Sequence, residues 1–127
     1  MIVVDTSALV AIVLQEAKAA ACIKVLETET EALISAGTLA EALIVSIRRR
    51  VADEMASLLD GLSIDIVTVT PASARRVAQA YERWGKGVHP AGLNFGDCFA
   101  YALAKERSCR LLFVGDDFSK TDIEGVL

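Results

Sequence analysis

Five carboxylates sit where a short chain of alternating elements could do chemistry: Asp5, Glu41, Asp97, Asp116 and Asp117. Asp5 follows the apolar run Ile2-Val3-Val4, and Asp116-Asp117 follow the run Leu111 to Val114 across one glycine. Glu41 falls in the first turn of the helical stretch that Gly37-Thr38 opens. Asp97 falls in the first turn of the stretch from Phe95 to Glu106. Gathered together, such groups repel and raise one another's pKa unless a cation neutralises them. An all-oxygen set suits Mg²⁺ or Mn²⁺ rather than zinc. A site of that kind can activate water and stabilise the charge that develops on a phosphate during in-line displacement. Each residue also has a plainer role open to it. Asp5 can be a helix N-cap, Glu41 and Asp97 can complement a helix dipole, and Asp116-Asp117 can be turn residues. The metal reading depends on all of them meeting at one edge.

The elements that would bring them there are legible from pattern. Ile2-Val3-Val4, Ala32 to Ser35, Ile64 to Val69 and Leu111 to Val114 are short apolar runs, three of them β-branched-rich or fully apolar, as strands buried on both faces require. Between them lie helical stretches at Ala8–Leu14, Ala17–Leu26, Gly37 to about Arg50, Asp53–Leu59, Ala72–Trp84 and Phe95–Glu106. Leu39, Leu43 and Ile47 share one face of the third by their four-residue spacing. Thr70-Pro71 suits an N-cap followed by proline in the first turn. Residues 85–96 hold four of the eight glycines and one of the two prolines, and read as a loop. Strands alternating with helices predict a three-layer α/β/α domain with a mainly parallel sheet, one domain over residues 1–127. Ligands of such sheets sit outside the carboxyl ends of the strands, near a topological switch point. Helices of this architecture start at that same edge, so the acidic positions can converge.

Composition removes several classes. With 127 residues, 54% hydrophobic and 24% charged, the chain can bury a core and is not disordered. Its net charge of -4 argues against affinity for polyanions through bulk charge, leaving a local basic patch or a bound metal to supply it. Three cysteines without a C-x-x-C spacing exclude a disulfide framework and a structural zinc site, and suit a reduced, cytoplasmic protein. The run Ala8–Leu14 is too short to span a bilayer. Neither a P-loop nor a G-x-G-x-x-G motif is present, and the lone His89 leaves no base for a Ser or Cys triad.

Four stretches resemble a known family. Ile-Val-Val-Asp-Thr-Ser-Ala at 2–8, Thr-Leu-Ala-Glu-Ala at 38–42, Leu-Asn-Phe-Gly-Asp-Cys-Phe-Ala-Tyr-Ala-Leu-Ala at 93–104 and Leu-Leu-Phe-Val-Gly-Asp-Asp-Phe at 111–118 are similar to the PIN-domain ribonucleases. Within these the chain most resembles the VapC toxins of bacterial toxin–antitoxin pairs. The resemblance implies Mg²⁺-dependent RNA cleavage, with Mn²⁺ as an alternative metal, a homodimer, and inhibition by a VapB-type antitoxin. By motif position Asp5 and Asp97 match the principal metal ligands, and Glu41 the acid that completes the site. Asp117 matches the fourth acid, while Asp116 stands where Asn is frequent and assists. Thr6 or Ser7 would orient ligands or water.

RNA must also be gripped. Lys86 and His89 precede Asp97 on the glycine-rich loop, where they could touch phosphates, and Arg48 and Arg49 end the Glu41 helix, where they can equally complement its dipole. Tyr81 and Trp84 are expected in the core, although an exposed aromatic there could stack a base. Two other classes stay open on residues alone. One is a non-catalytic binding and dimerisation module on the same scaffold. The other is a metal-dependent phosphatase with an Asp nucleophile, which usually wants a second Asp where Ser7 stands. The helices Ala8–Leu14 and Leu39–Ile47 either offer a groove to a partner helix or pack the domain's own core.

Overall fold

The computed structural model describes residues 1–127. Strands β1 (Ile2–Val4), β2 (Ala32–Ser35), β3 (Ile64–Val67) and β4 (Arg110–Leu112) form one sheet in the order β3-β2-β1-β4, with every neighbouring pair parallel. Helices α1 (Thr6–Val13) and α2 (Ala19–Thr28) connect β1 to β2, and α3 (Ala36–Arg48) and α4 (Ala52–Gly61) connect β2 to β3. Helices α5 (Pro71–Trp84) and α6 (Phe95–Arg107) return the chain from β3 at one edge to β4 beyond β1. The winding direction therefore reverses between β1 and β4, which makes the crevice at their carboxyl ends the switch point.

Alternation along the strands divides the core in two. Ile2, Val4, Ala32, Ile34 and Leu112 face α1 to α4, where they meet Ala8, Leu9, Cys22, Ala42 and Met55. Val3, Leu33 and Leu111 face the other way, against Trp84, Leu93, Cys98, Tyr101, Leu103 and Phe118. The central strand β1 is fully buried, which is why its sequence is apolar without alternation. The result is the three-layer α/β/α arrangement expected from the pattern.

Several expectations need correction. Strand β3 stops at Val67, two residues short of the apolar run, and as an edge strand it leaves Asp65 and Ile66 exposed. Strand β4 ends at Leu112, so Phe113 to Gly115 separate it from Asp116-Asp117. Helix α3 begins at Ala36, because Ser35, the last residue of β2, accepts a hydrogen bond from Gly37 N and caps it; Glu41 thus lies in the second turn, not the first. Of the two roles left open for the stripe Leu39, Leu43, Ile47, core packing is not the one seen at its far end: Thr38, Ala42 and Ser46 are buried, and Leu43 and Ile47 are exposed. Small side chains on the inner face let α3 lie close to its neighbours, which turns the larger ones outward. Tyr81 is likewise exposed, while Trp84 is buried as expected. The Thr70 cap with Pro71 at the first helical position is present, closed reciprocally by Ser73.

Candidate metal centre

Asp5 is the N-cap of α1. Its Oδ2 accepts from Ser7 N at 3.0 Å and Ser7 Oγ at 2.7 Å, while its Oδ1 is buried with no hydrogen-bond partner. The same Ser7 Oγ accepts from Val114 N at 3.0 Å, tying the end of β1 to the loop beyond β4. Gly115, at φ +94°, then turns that loop towards Asp116-Asp117, a conformation that favours glycine. Both aspartates are exposed.

Thr6 Oγ1 donates to Glu41 Oε1 at 2.6 Å, joining the first turn of α1 to the second turn of α3. Asp97 occupies the third position of α6 in a capping box: its Oδ2 accepts from Asn94 N at 3.0 Å, and Asn94 Oδ1 accepts from Asp97 N at 2.8 Å. A Cβ at Gly96 would collide with the Glu41 carboxylate, so only glycine lets α3 deliver that group against the first turn of α6. Gly96 carried no functional expectation. Its signal was present, because glycine in a helix is unfavourable and often marks a close approach.

The electrostatics follow from this crowding. Burial, with Glu41 adding to it, pushes the Asp5 carboxyl up to about 6 against the opposing pull of the Ser7 bonds. Burial first, then the charges of Asp5, Asp117 and Glu41, push Asp97 up to about 7 despite its bond from Asn94. Asp97 thus feels the charges of Asp5, Asp117 and Glu41, and Asp5 that of Glu41. No Lys, Arg or His forms an ion pair with any of the five.

No three of these carboxylates converge on one point at coordinating distance. Asp5, Glu41 and Asp97 each commit one oxygen to a protein donor and leave the other free. An oxygen-only donor set, a buried orphan oxygen at Asp5 and the lack of any cationic partner together fit a hard divalent cation. The residues proposed to grip RNA are more scattered. Lys86 is exposed on the loop. His89 packs its ring edge-on against Trp84 at 4.7 Å and accepts from Ala91 N through Nδ1, so it braces the loop. Arg48 and Arg49 are exposed, but they lie about 10 Å or more along α3 from Glu41, away from the carboxylate edge.

A wholly parallel sheet with acids gathered at its switch point is the architecture of a PIN domain, and the chain belongs to the PIN-domain family, whose model matches residues 2–124. Within that family it is a member of the VapC ribonuclease group. Ribonuclease VapC42 of Mycobacterium tuberculosis is 42% identical over 125 residues, covering 95% of each chain. Ribonuclease VapC30 of the same organism is 40% identical over 128 residues, covering 98% of this chain and 97% of the other. Among solved structures, Mycobacterium tuberculosis VapC20, described as a sarcin-ricin loop cleaving toxin, shares the fold with a TM-score of 0.80 at 20% identity, over 99% of this chain and 98% of that one. A toxin–antitoxin complex from Klebsiella pneumoniae shares it with a TM-score of 0.68 at 15% identity, over 96% and 93%.

Proposed function

We propose that this chain, as one PIN domain over residues 1–127, is a Mg²⁺-dependent endoribonuclease and the toxin of a VapBC-type pair. The observation that carries the reading is that the charges of Asp5, Glu41 and Asp117 all bear on the buried Asp97, with Asp5 Oδ1 buried and unpartnered. Asp5, Glu41, Asp97 and Asp117 would hold the cation, with Asp116 assisting from the same loop. When bound, Mg²⁺, or Mn²⁺ in its place, supplies activation of water and stabilisation of the charge developing on the scissile phosphate.

The chain's own residues do the positioning. Ser7 fixes the rotamer of Asp5 through two bonds to one oxygen and leaves the other free. Thr6 holds Glu41 in the same way from α1. The N-termini of α1 and α6 are both capped by the site's own residues: Ser7 N donates to Asp5 and Asp97 N to Asn94. Lys86 is an exposed cation on the loop before α6 and would meet a phosphate.

The partner is a VapB-type antitoxin, and the chain acts in the cytoplasm as a homodimer. Leu43, Ile44 and Ile47 form an exposed apolar stripe along α3, which supports a protein partner on that helix. No helix is long and apolar enough to cross a membrane.

Cleavage of total cellular RNA by the purified, antitoxin-free protein tests this. Discrete fragments are expected with Mg²⁺ or Mn²⁺, none with EDTA, and none from Asp97→Ala. Fragments that persist with EDTA or in the mutant would sink the assignment.

A further inference from the structure

Residues of α5, the following loop and the first turn of α6 line a groove of about 670 Å³, among them Val77, Tyr81, Lys86, Asn94 and Phe95. Phe95 is 74% exposed, the highest value of any large apolar side chain in the protein. Its ring stands edge-to-face on Phe99, 5.0 Å between centroids and 85° between planes, so its attitude is set from below. Folding does not account for an aromatic ring held firm yet left in water.

The surroundings match one kind of ligand. Tyr81 is 41% exposed on the same groove, and its hydroxyl donates to the Lys86 carbonyl at 2.9 Å, which braces the ring across the loop. Lys86 is the only charged residue of the lining, and in a chain of net charge -4 no carboxylate offsets it there. Asn94 spends its Oδ1 on capping α6 and keeps its amide NH₂ as a donor. Asp97 follows Phe95 by two residues in the first turn of α6, so the groove and the carboxylates flank opposite sides of that helix N-terminus. Aromatic faces combined with a cation are how proteins hold single-stranded nucleic acid.

We infer that this groove is a nucleobase subsite, in which Phe95 and Tyr81 stack a base of single-stranded RNA that crosses the N-terminus of α6, with Lys86 on the backbone. The inference rests on the ribonuclease reading above.

The test uses the full chain in Ca²⁺, chosen to support binding while slowing cleavage, with a short single-stranded RNA carrying a fluorescent adenine analogue at successive positions. Stacking on wild type should quench the analogue at one position. Phe95→Ala should lose the quench and weaken Kd by about 5- to 150-fold, and Tyr81→Ala should act in the same direction. Phe95→Trp should restore both signals, whereas Phe95→Leu, apolar without a π face, should not. If Phe95→Leu binds as wild type does, stacking is not the interaction and the inference is overturned. It is also overturned if sedimentation shows Phe95→Ala turning a dimer into a monomer, because the face would then belong to a second copy. A wild type that neither binds nor, with Mg²⁺, cleaves any RNA sinks the ribonuclease reading along with the inference. A wild type that cleaves, with Phe95 and Tyr81 variants equal to it in Kd and KM, sinks the inference alone.

Discussion

The Thr6 hydroxyl donates a 2.6 Å hydrogen bond to Glu41 across 35 residues of sequence, so an uncharged side chain in α1 sets where an acid of α3 points. Thr6→Val keeps the shape and removes the donor. Losing a bond of this kind is worth about 1 kcal/mol, so cleavage should fall roughly five- to tenfold with the melting temperature little changed. Single-turnover kinetics beside a thermal melt would check it, and an unchanged rate would count against Glu41 as a working residue.

Gly96→Ala should leave a folded protein whose Glu41 carboxylate has been pushed aside. Displacing a site group by about 1 Å can lower turnover by about 100-fold, and a loss of that order is expected here because the new methyl would occupy the carboxylate's own position. Stability measured in the Glu41→Ala background identifies the cause. There the same glycine substitution should no longer destabilise, since the clash has been removed.

Asp97 serves both as a capping residue and as an acid of the site, and two substitutions separate the roles. Asp97→Asn keeps an oxygen for Asn94 N while removing the charge, and Asp97→Ala removes both. Both variants should be inactive. Asp97→Asn should be more stable than Asp97→Ala by about 1 kcal/mol, read from urea midpoints. Equal midpoints would show that the cap contributes nothing.

Stability should depend on pH and metal together. Asp5 and Asp97 are raised to about 6 and about 7, above their unfolded values, so the metal-free fold binds protons more tightly than the unfolded chain. Their contribution is fully present below about pH 4 and is lost as pH rises through those two values. Metal-free protein should therefore melt several degrees higher at pH 5 than at pH 8, and Mg²⁺ should narrow the gap from the alkaline side. Calorimetry with EDTA and with Mg²⁺ would reveal it; a melting point that rises with pH in EDTA would contradict the carboxylate cluster.

Tyr101 links α6 to the C-terminal segment. Its hydroxyl accepts from Trp84 Nε1 at 2.8 Å and donates to Asp122 at 2.5 Å, and Lys105 holds the second Asp122 oxygen at 3.1 Å. Burial and that Asp122 bond push the phenol up to about 12, whereas the bonds from Tyr101 and Lys105 hold Asp122 below the usual carboxylate range. Tyr101→Phe strands the buried indole N–H and should destabilise by about 1–3 kcal/mol in denaturant titration.

Much of this protein could be read before folding it. Ile2-Val3-Val4 and Ala32 to Ser35 announce central strands because both faces of each are buried, so their apolar residues run on without alternation. Asp5 and Asp97 were legible as residues at helix starts because each stands at a strand-to-helix or loop-to-helix junction. Thr70-Pro71 was legible because capping is local chemistry. Strand β3 was overextended because an edge strand has less to bury, and an apolar run there does not mark where pairing stops.

What the sequence determined by itself is therefore the set of elements, their order and the acids at their ends, since these depend on neighbours a few residues apart. The tertiary structure alone decided which face of α3 turns to solvent, why residue 96 must lack a side chain, and that Tyr81 and Phe95 stand exposed on one groove. It also decided that Thr6 should hold Glu41 and Ser7 should bind the loop beyond β4. Those facts depend on distances between segments far apart in the chain, and local propensity carries no information about which side chains will meet there.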